Sequence, residues 1–387
     1  MPTKRWEIWL PVIRGQDRSW RAGLQRLGLY LLSGLYRIGL AFKNLRWRNP
    51  ARIVRVSVPV LSVGNLTTGG TGKTPLVQWL CRFLRGRHLR VALLSRGYGA
   101  PEQGPNDEAL ELELSLPDVP HLQDPDRVRM ANVAIDELES QCLVLDDGFQ
   151  HRRLHRDLDI VLIDCTCPFG YGYTLPRGLL REPKPALSRA DVLILTRCDQ
   201  VSQTELQRLE AELSKYRKSS ETLIAKTYHA PVGLLDSRGR QRSLEELRKH
   251  RLLLFAGIGN PTAFFETVQR VSNADFANAT GDIHVAATRR FPDHHNYQRE
   301  DIQDLREWVE RETRRATEAV TKPWLVVTTR KDLVKLDLWQ LAGVDLVALE
   351  VELQFLSGEK ELTQILDSKL MAIRDANPVI PDPAGTD

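Results

Sequence analysis

The sequence predicts an α/β protein with a mainly parallel sheet, a smaller C-terminal α/β domain and an N-terminal amphipathic helix. Three observations predict it. Short apolar runs alternate with helical patterns from about residue 59 onward, as buried parallel strands flanked by helices require. A glycine-rich loop closes the first run and opens a helix. The residues before it combine a continuous apolar helical face with strong positive charge.

The N-terminal segment comes first. Residues 1–55 hold twelve Lys/Arg against Glu7 and Asp17, a local charge of +10, so the rest of the chain carries −6 of the overall +4. Trp6, Trp9, Trp20, Tyr30, Tyr36 and Trp47 are interleaved with those cations, a composition that suits an anionic membrane surface. Leu24, Leu27, Leu31, Leu35, Ile38 and Phe42 recur at helical spacing. Only ten uncharged residues separate Arg26 from Arg37, whereas a spanning helix needs roughly 20 apolar residues. Arg37 also stands where a signal peptide would need its small-residue cleavage site. The expectation is a helix lying in the interface, with packing on the protein core as the alternative. Nucleic acid is not expected, because phosphate-contacting segments need cations more than the aliphatics of Leu27–Leu35.

The first strand is expected at Pro59–Val63. It runs into Gly64-Asn65-Leu66-Thr67-Thr68-Gly69-Gly70-Thr71-Gly72-Lys73-Thr74-Pro75, and a helix is expected over Pro75–Leu84. This is the layout of a phosphate-binding P-loop, which makes the core a P-loop α/β/α unit. Glycines let backbone N–H groups converge on phosphate, and the helix N-terminus adds partial positive charge. Gly69, Gly70, Thr71, Gly72, Lys73, Thr74 and Pro75 are therefore the expected nucleotide-binding residues. Lys73 would reach the β/γ-phosphates and the Thr74 hydroxyl would ligate Mg2+. Thr67 replaces the first glycine of the usual spacing, but the shorter Gly-Gly-x-Gly-Lys-Thr form is intact.

Further strands are expected at Val91–Ser95, Cys142–Asp146, Ile160–Asp164 and Val192–Thr196, with a helix over Thr204–Lys218. The Cys142 run ends in Asp146-Asp147-Gly148-Phe149-Gln150-His151. An acid there helps hold Mg2+ in P-loop proteins, so Asp146 and Asp147 are metal candidates; an Asp-Gly surface turn is the plain alternative. A second α/β block is expected from Leu252, with a strand over Leu252–Ala256, a helix over Pro261–Val271 and a last strand over Leu346–Leu353. The implied organisation is an interface segment (1–50), a P-loop core (51–228), a smaller α/β domain (229–355) and a C-terminal tail (356–387). Five scattered cysteines, an odd number, fit reduced thiols in a cytosolic setting, and Cys165-Thr166-Cys167 is read as structural.

The motifs in combination resemble one family. Val63-Gly64-Asn65 with the glycine-rich loop, Leu94-Ser95-Arg96-Gly97-Tyr98-Gly99, Asn106-Asp107-Glu108 and Asp146-Asp147-Gly148-Phe149-Gln150-His151 occur in this order. Leu180-Arg181-Glu182-Pro183, Phe291-Pro292-Asp293-His294-His295 and Thr329-Arg330-Lys331-Asp332 follow. Over about residues 25–355 the chain resembles the tetraacyldisaccharide 4′-kinases of lipid A biosynthesis. The resemblance implies transfer of the ATP γ-phosphate, with Mg2+, to the 4′-hydroxyl of a tetraacylated glucosamine disaccharide 1-phosphate. It implies a P-loop core joined to a smaller domain by a two-stranded hinge, here near Tyr228–Leu235 and Leu346–Leu353. It also implies a peripheral position on the cytoplasmic face of the inner membrane, with no protein partner inferred.

By the same resemblance Asp107 matches the acid that accepts the sugar hydroxyl proton, and His294 a histidine paired with it; His295 is adjacent and competes for that role. Asn65, Arg96, Tyr98, Gln150, His151 and Arg181 fall on the substrate side. Arg96 and Arg181 would be surface cations or would meet the lipid's 1-phosphate or the nucleotide phosphates, and Tyr98 would stack on a sugar or simply pack. Where the family continues Gly-Asp-Glu-Pro, this chain has Asn106-Asp107-Glu108-Ala109. Two other P-loop classes fit less well. Membrane-partitioning ATPases carry a Lys where Thr68 stands. The Asn-Lys-x-Asp loop of GTPases differs at two positions from Thr196-Arg197-Cys198-Asp199.

Overall fold

A computed structural model describes residues 10–97, 107–219, 221–274, 282–292, 295–315 and 322–376. The chain forms two compact units: Met1–Gly99, Ser115–Tyr228 and Leu353–Asp387 in one, Ala100–Leu114 and His229–Glu352 in the other.

The first unit begins with α1 (Leu10–Arg14) and the long α2 (Trp20–Leu45). Ser19 caps α2, its Oγ accepting from the Ala22 N–H at 3.2 Å. Then follow β1 (Val60–Asn65), α3 (Lys73–Arg85), β2 (Val91–Ser95), α4 (Asp107–Ser115), β3 (His121–Gln123), α5 (Arg127–Asp136) and β4 (Cys142–Asp146). β5 (Leu158–Asp164), β6 (Val192–Thr196), α6 (Gln203–Leu213) and β7 (Leu223–Leu235) complete the series. The strands pair in parallel in the order β7-β6-β5-β1-β4-β2-β3. β1 lies between β4 and β5, so the chain leaves β1, passes over β4 and enters β2. Ligands of such sheets bind beyond the strand C-termini at this kind of reversal.

Every residue of β1, β2, β4, β5 and β6 is buried, which is why these segments read as unbroken apolar runs. One cluster joins β5 and β6 to α6 through Val161, Ile163, Leu193, Leu195, Leu206 and Leu209. Another joins β2 and β4 to α5 through Ala92, Leu94, Leu143, Leu145, Ala131 and Ala134.

The second unit takes in the end of β7, then β8 (Gln241–Arg242), α7 (Glu246–Lys249), β9 (Arg251–Ala256), α8 (Pro261–Ala274), β10 (His284–Arg290) and α9 (Arg299–Arg315). β11 (Trp324–Thr329), α10 (Arg330–Leu336), β12 (Gln340–Leu341) and most of β13 (Val344–Ser357) follow. Its parallel order is β10-β9-β11-β13. Successive side chains of β9 serve opposite faces. Leu252 and Leu254 meet Phe264 and Val268 of α8, while Leu253 and Phe255 meet Leu305 and Val309 of α9 and Leu333 of α10.

Element boundaries shift by a few residues. α3 starts two residues earlier than expected, because Gly72 and not Pro75 makes the turn. α6 stops at Leu213, where Ser214 turns its N–H onto Glu210 and Glu212 carbonyls, so Lys215–Lys218 are not helical. The stretch read as a C-terminal tail contains α11 (Glu359–Ala376). Leu362 and Leu366, one turn apart, are fully buried, and Asp367 pairs with Arg87 at 2.7 Å. Three closing prolines dominated the composition of that stretch, but they lie beyond the helix. All five cysteines are free thiols.

Candidate phosphate-binding site

The site is built at the C-terminal ends of β1 and β4. Gly72 precedes α3 with φ +86°, in the left-handed region that glycine enters without strain, and this turn sets Lys73 and Thr74 as the first residues of the helix. Gly64 lets β1 approach the turn after β4: a Cβ there would lie 2.6 Å from the Phe149 Cβ. Two carbonyls of the loop are held from the end of β6. The Thr196 hydroxyl donates to Thr71 O (2.9 Å) and the Arg197 guanidinium to Gly70 O (2.9 Å). Arg197 is in turn paired with Asp164. Thr196 and Arg197 thus spend their side chains on the phosphate loop, not on reading a base.

Lys73 Nζ stands 3.4 Å from Asn65 Oδ1 and 3.6 Å from the Asp147 carboxylate. Asn65 is fully buried, and its amide nitrogen donates to Thr67 O at 2.8 Å. Asp147 adopts φ +53° and turns its carboxylate onto Arg181, whose guanidinium donates at 2.7 and 2.9 Å. Burial alone would raise the Asp147 carboxyl; Lys73, Arg181 and Arg127 more than offset that and hold it below the usual carboxylate range. Asp147 therefore stays ionised, as an anchor between two cations or a metal ligand must. Asp146, the last residue of β4, is buried, and Arg127 donates to its carbonyl at 3.4 Å.

Gln150 donates to Asn65 O at 3.0 Å, tying the turn after β4 to the end of β1. His151 is pushed down to about 4, by burial first and then by Arg127, Arg156 and Arg153, so it is neutral at physiological pH. Its Nε2 is buried and has no hydrogen-bond partner among the described residues. Thr74 and Pro75 occupy the first turn of α3. Arg96 is exposed just past β2, close enough to Arg127 for their like charges to interact.

The first unit therefore brings together Asn65, the loop Gly69–Gly72, Lys73, Thr74, Asp146, Asp147, Gln150 and Arg181. Asp107 is the first residue of α4, but its side chain lies outside the described residues, as do Tyr98 and His294. His295, in the second unit, faces Asp301 at 3.0 Å and packs edge-on against Tyr297. Sequence reasoning missed Arg127, Glu182 and Arg189. Glu182 is buried between Arg189 (2.7 Å) and Arg152 (3.6 Å), and Arg189 lies over the Phe149 ring at 4.3 Å. Only Glu182 carried a signal, its place beside Arg181 in the Leu-Arg-Glu-Pro motif.

A lysine at a helix N-terminus, a glycine-turned loop and two acids at the adjacent strand end are the groups a phosphoryl-transfer site needs. The model of the LpxK family, described as tetraacyldisaccharide-1-P 4′-kinase, matches residues 25–371. The chain belongs to this kinase family. A tetraacyldisaccharide 4′-kinase of Anaeromyxobacter sp. (strain K) is 36% identical over 370 residues, covering 90% of this chain and 92% of the relative. The protein of that name from Geobacter sulfurreducens is 33% identical and covers 85% of this chain and 89% of the relative. Among solved structures, LpxK from Aquifex aeolicus in complex with ATP superposes with a TM-score of 0.66 at 27% identity, covering 89% of this chain and 99% of that one. Kinase chemistry, a P-loop fold and a place in lipid A biosynthesis follow from this membership.

Proposed function

We propose that this chain transfers the γ-phosphate of ATP to the 4′-hydroxyl of a tetraacylated glucosamine disaccharide 1-phosphate at a membrane surface. The observation that carries it is the Lys73–Asp147–Arg181 cluster beside Asp146 at the mouth of the glycine loop. The donor set fits a nucleotide with Mg2+: an ammonium and a helix N-terminus for phosphate, a hydroxyl and carboxylates for the ion. Thr74, Asp146 and Asp147 would hold Mg2+, which when bound offsets charge on the transferring phosphoryl group. Lys73 stabilises the same charge from the helix side. Asp107 would take the hydroxyl proton, with His294 orienting it.

The membrane half of the proposal rests on α2. Trp20, Leu24, Leu27, Leu31, Leu35, Ile38, Phe42 and Leu45 form one stripe along it, each 51–72% exposed, so the apolar face is not packed into the unit. No helix of the described residues is long and apolar enough to cross a membrane. An exposed apolar stripe flanked by cations on a helix of this length fits a peripheral anchor at an anionic surface, here the cytoplasmic face of the inner membrane.

The experiment is a transfer assay. With Mg2+ and ATP, a tetraacylated disaccharide 1-phosphate should gain one phosphate, located at the 4′ position by NMR, and GTP should serve poorly. Asp107→Ala should lower kcat by about 10²–10⁴-fold with nucleotide affinity kept. Phosphate at another position, or none, would defeat the reading. Leu31→Glu/Leu35→Glu should weaken sedimentation with anionic vesicles at least about tenfold; unchanged sedimentation would remove the membrane half alone.

A further inference from the structure

The geometry points to Tyr36 and Ser33 of α2 as positioning residues for the phosphate site, acting through Arg181. Arg181 is gripped at three places. Its N–H donates to Leu66 O at 2.8 Å, at the root of the glycine loop. Its carbonyl accepts from the Tyr36 hydroxyl at 2.9 Å. Its guanidinium holds Asp147, which faces Lys73 at 3.6 Å. One residue thus joins the helix, the loop and the carboxylate partner of the phosphate-binding lysine.

The neighbours make the join rigid. Thr67 and Leu180 form an isolated antiparallel bridge, and the Thr68 N–H donates to Leu179 O at 2.8 Å, so residues 179–181 run along the loop's entrance. At the other edge, the buried Ser33 hydroxyl lies 2.9 Å from Thr174 O and accepts the Arg177 N–H at 3.1 Å. Tyr30 meets Tyr173 edge-on with centroids 5.9 Å apart. Residues 173–181 therefore form a strap with one edge on α2 and the other on the phosphate loop. All of these contacts lie within the first unit.

A strap fixed at both edges sets where the Arg181 guanidinium lies, and with it the Asp147 carboxylate and Lys73. Displacements of about 1 Å at reacting groups cost on the order of 10²-fold in rate, so small shifts of the strap should be visible in turnover. The helix that carries the apolar stripe is then also a wall of the catalytic unit. This holds whatever covers the stripe, and the kinase reading supplies only the readout.

The test uses the full chain with lipid acceptor in detergent micelles. Tyr36→Phe removes one hydroxyl and no volume to speak of. Its kcat should fall about tenfold, with the KM values for ATP and lipid changed less than about twofold and vesicle sedimentation unchanged. Arg181→Gln alone should cost about 100-fold, and Tyr36→Phe added to it should cost nothing further, because the hydroxyl acts through Arg181. Ser33→Ala should reproduce the pattern with a smaller loss, and it serves if Tyr36→Phe does not fold. A Tyr36→Phe kcat within about twofold of wild type would overturn the inference. So would a loss that persists in full on the Arg181→Gln background, or one confined to lipid KM and vesicle binding. An inactive wild type would defeat the kinase reading instead.

Discussion

The two units place an aspartate at a strand's C-terminal end and use it in opposite ways. In the first, Asp147 follows β4 and is held by cations, Arg181 at 2.7 Å and Lys73 at 3.6 Å. In the second, Asp332 lies in the first turn of α10 just past β11, fully buried, and is held by neutral donors. Gly257 N–H (3.0 Å), the Tyr297 hydroxyl (2.9 Å) and the Thr329 hydroxyl (2.6 Å) all point at its carboxylate. Burial, and then Asp332 itself, raises the Tyr297 phenol, so that donor keeps its proton. A carboxylate satisfied by neutral donors is a knot with nothing to exchange. A carboxylate held by Arg181 and faced by Lys73 has charged partners that a bound phosphate or metal would compete for. The Thr329-Arg330-Lys331-Asp332 motif thus fixes the start of α10, whereas Asp147 keeps partly exposed, charged partners.

The largest effect expected from this contrast is at Lys73. Lys73→Ala should lower kcat by about a hundredfold or more while the melting transition of the protein stays in place. Near wild-type turnover would show that the cation–carboxylate cluster is structural, like Asp332.

Acid should act unevenly, beginning with the first unit. His121 and His151 are both held near 4 by burial, against an ordinary value of 6.5. The unfolded chain then binds more protons, so the neutral rings' contribution is complete above about pH 6.5 and is lost as pH falls through about 4. Each is worth on the order of 1–3 kcal/mol. Urea melts between pH 7 and 4 should show stability falling over this window, and His121→Gln should flatten the fall. A profile unchanged by that substitution would place the acid sensitivity elsewhere.

The smallest effect calibrates the others. Glu245 and Lys249 form a one-turn ion pair with both side chains more than half exposed. Glu245→Gln should change stability by at most about 0.5 kcal/mol in a denaturant melt. A larger loss would mean that ion pairing by itself, not its place at the phosphate loop, gives the first unit its character.

How much of this was legible follows from sequence distance. The strand–loop–helix of residues 60–85 was readable because glycines, Lys73 and Thr74 act locally and each has its own chemistry. Asp146 and Asp147 were readable because an apolar run ended in acids. The partners were not. Arg181 reaches Asp147 across 34 residues and Tyr36 reaches Arg181 across 145, and no periodicity encodes such pairs. Arg181 was singled out through its motif as a substrate-side or phosphate-contacting residue, and its guanidinium contact with Asp147 was not foreseen. α2 was legible as amphipathic, but its hydrogen-bonded back face was not, since Ser33 and Tyr36 look ordinary among leucines. α11 was lost to the prolines that follow it.

The most direct measurement compares the two carboxylates as their isosteric amides, reading turnover and thermal midpoint on the same samples. Asp147→Asn should lose at least about tenfold in kcat with its midpoint nearly kept, because Asp147 is a third exposed and its partners can turn to solvent. Asp332→Asn should lose about 2–4 kcal/mol of stability, because an amide nitrogen would face buried donors. Its kcat per folded molecule should change far less. The reverse pattern, with Asp147→Asn unstable but active and Asp332→Asn stable but inactive, would contradict the account.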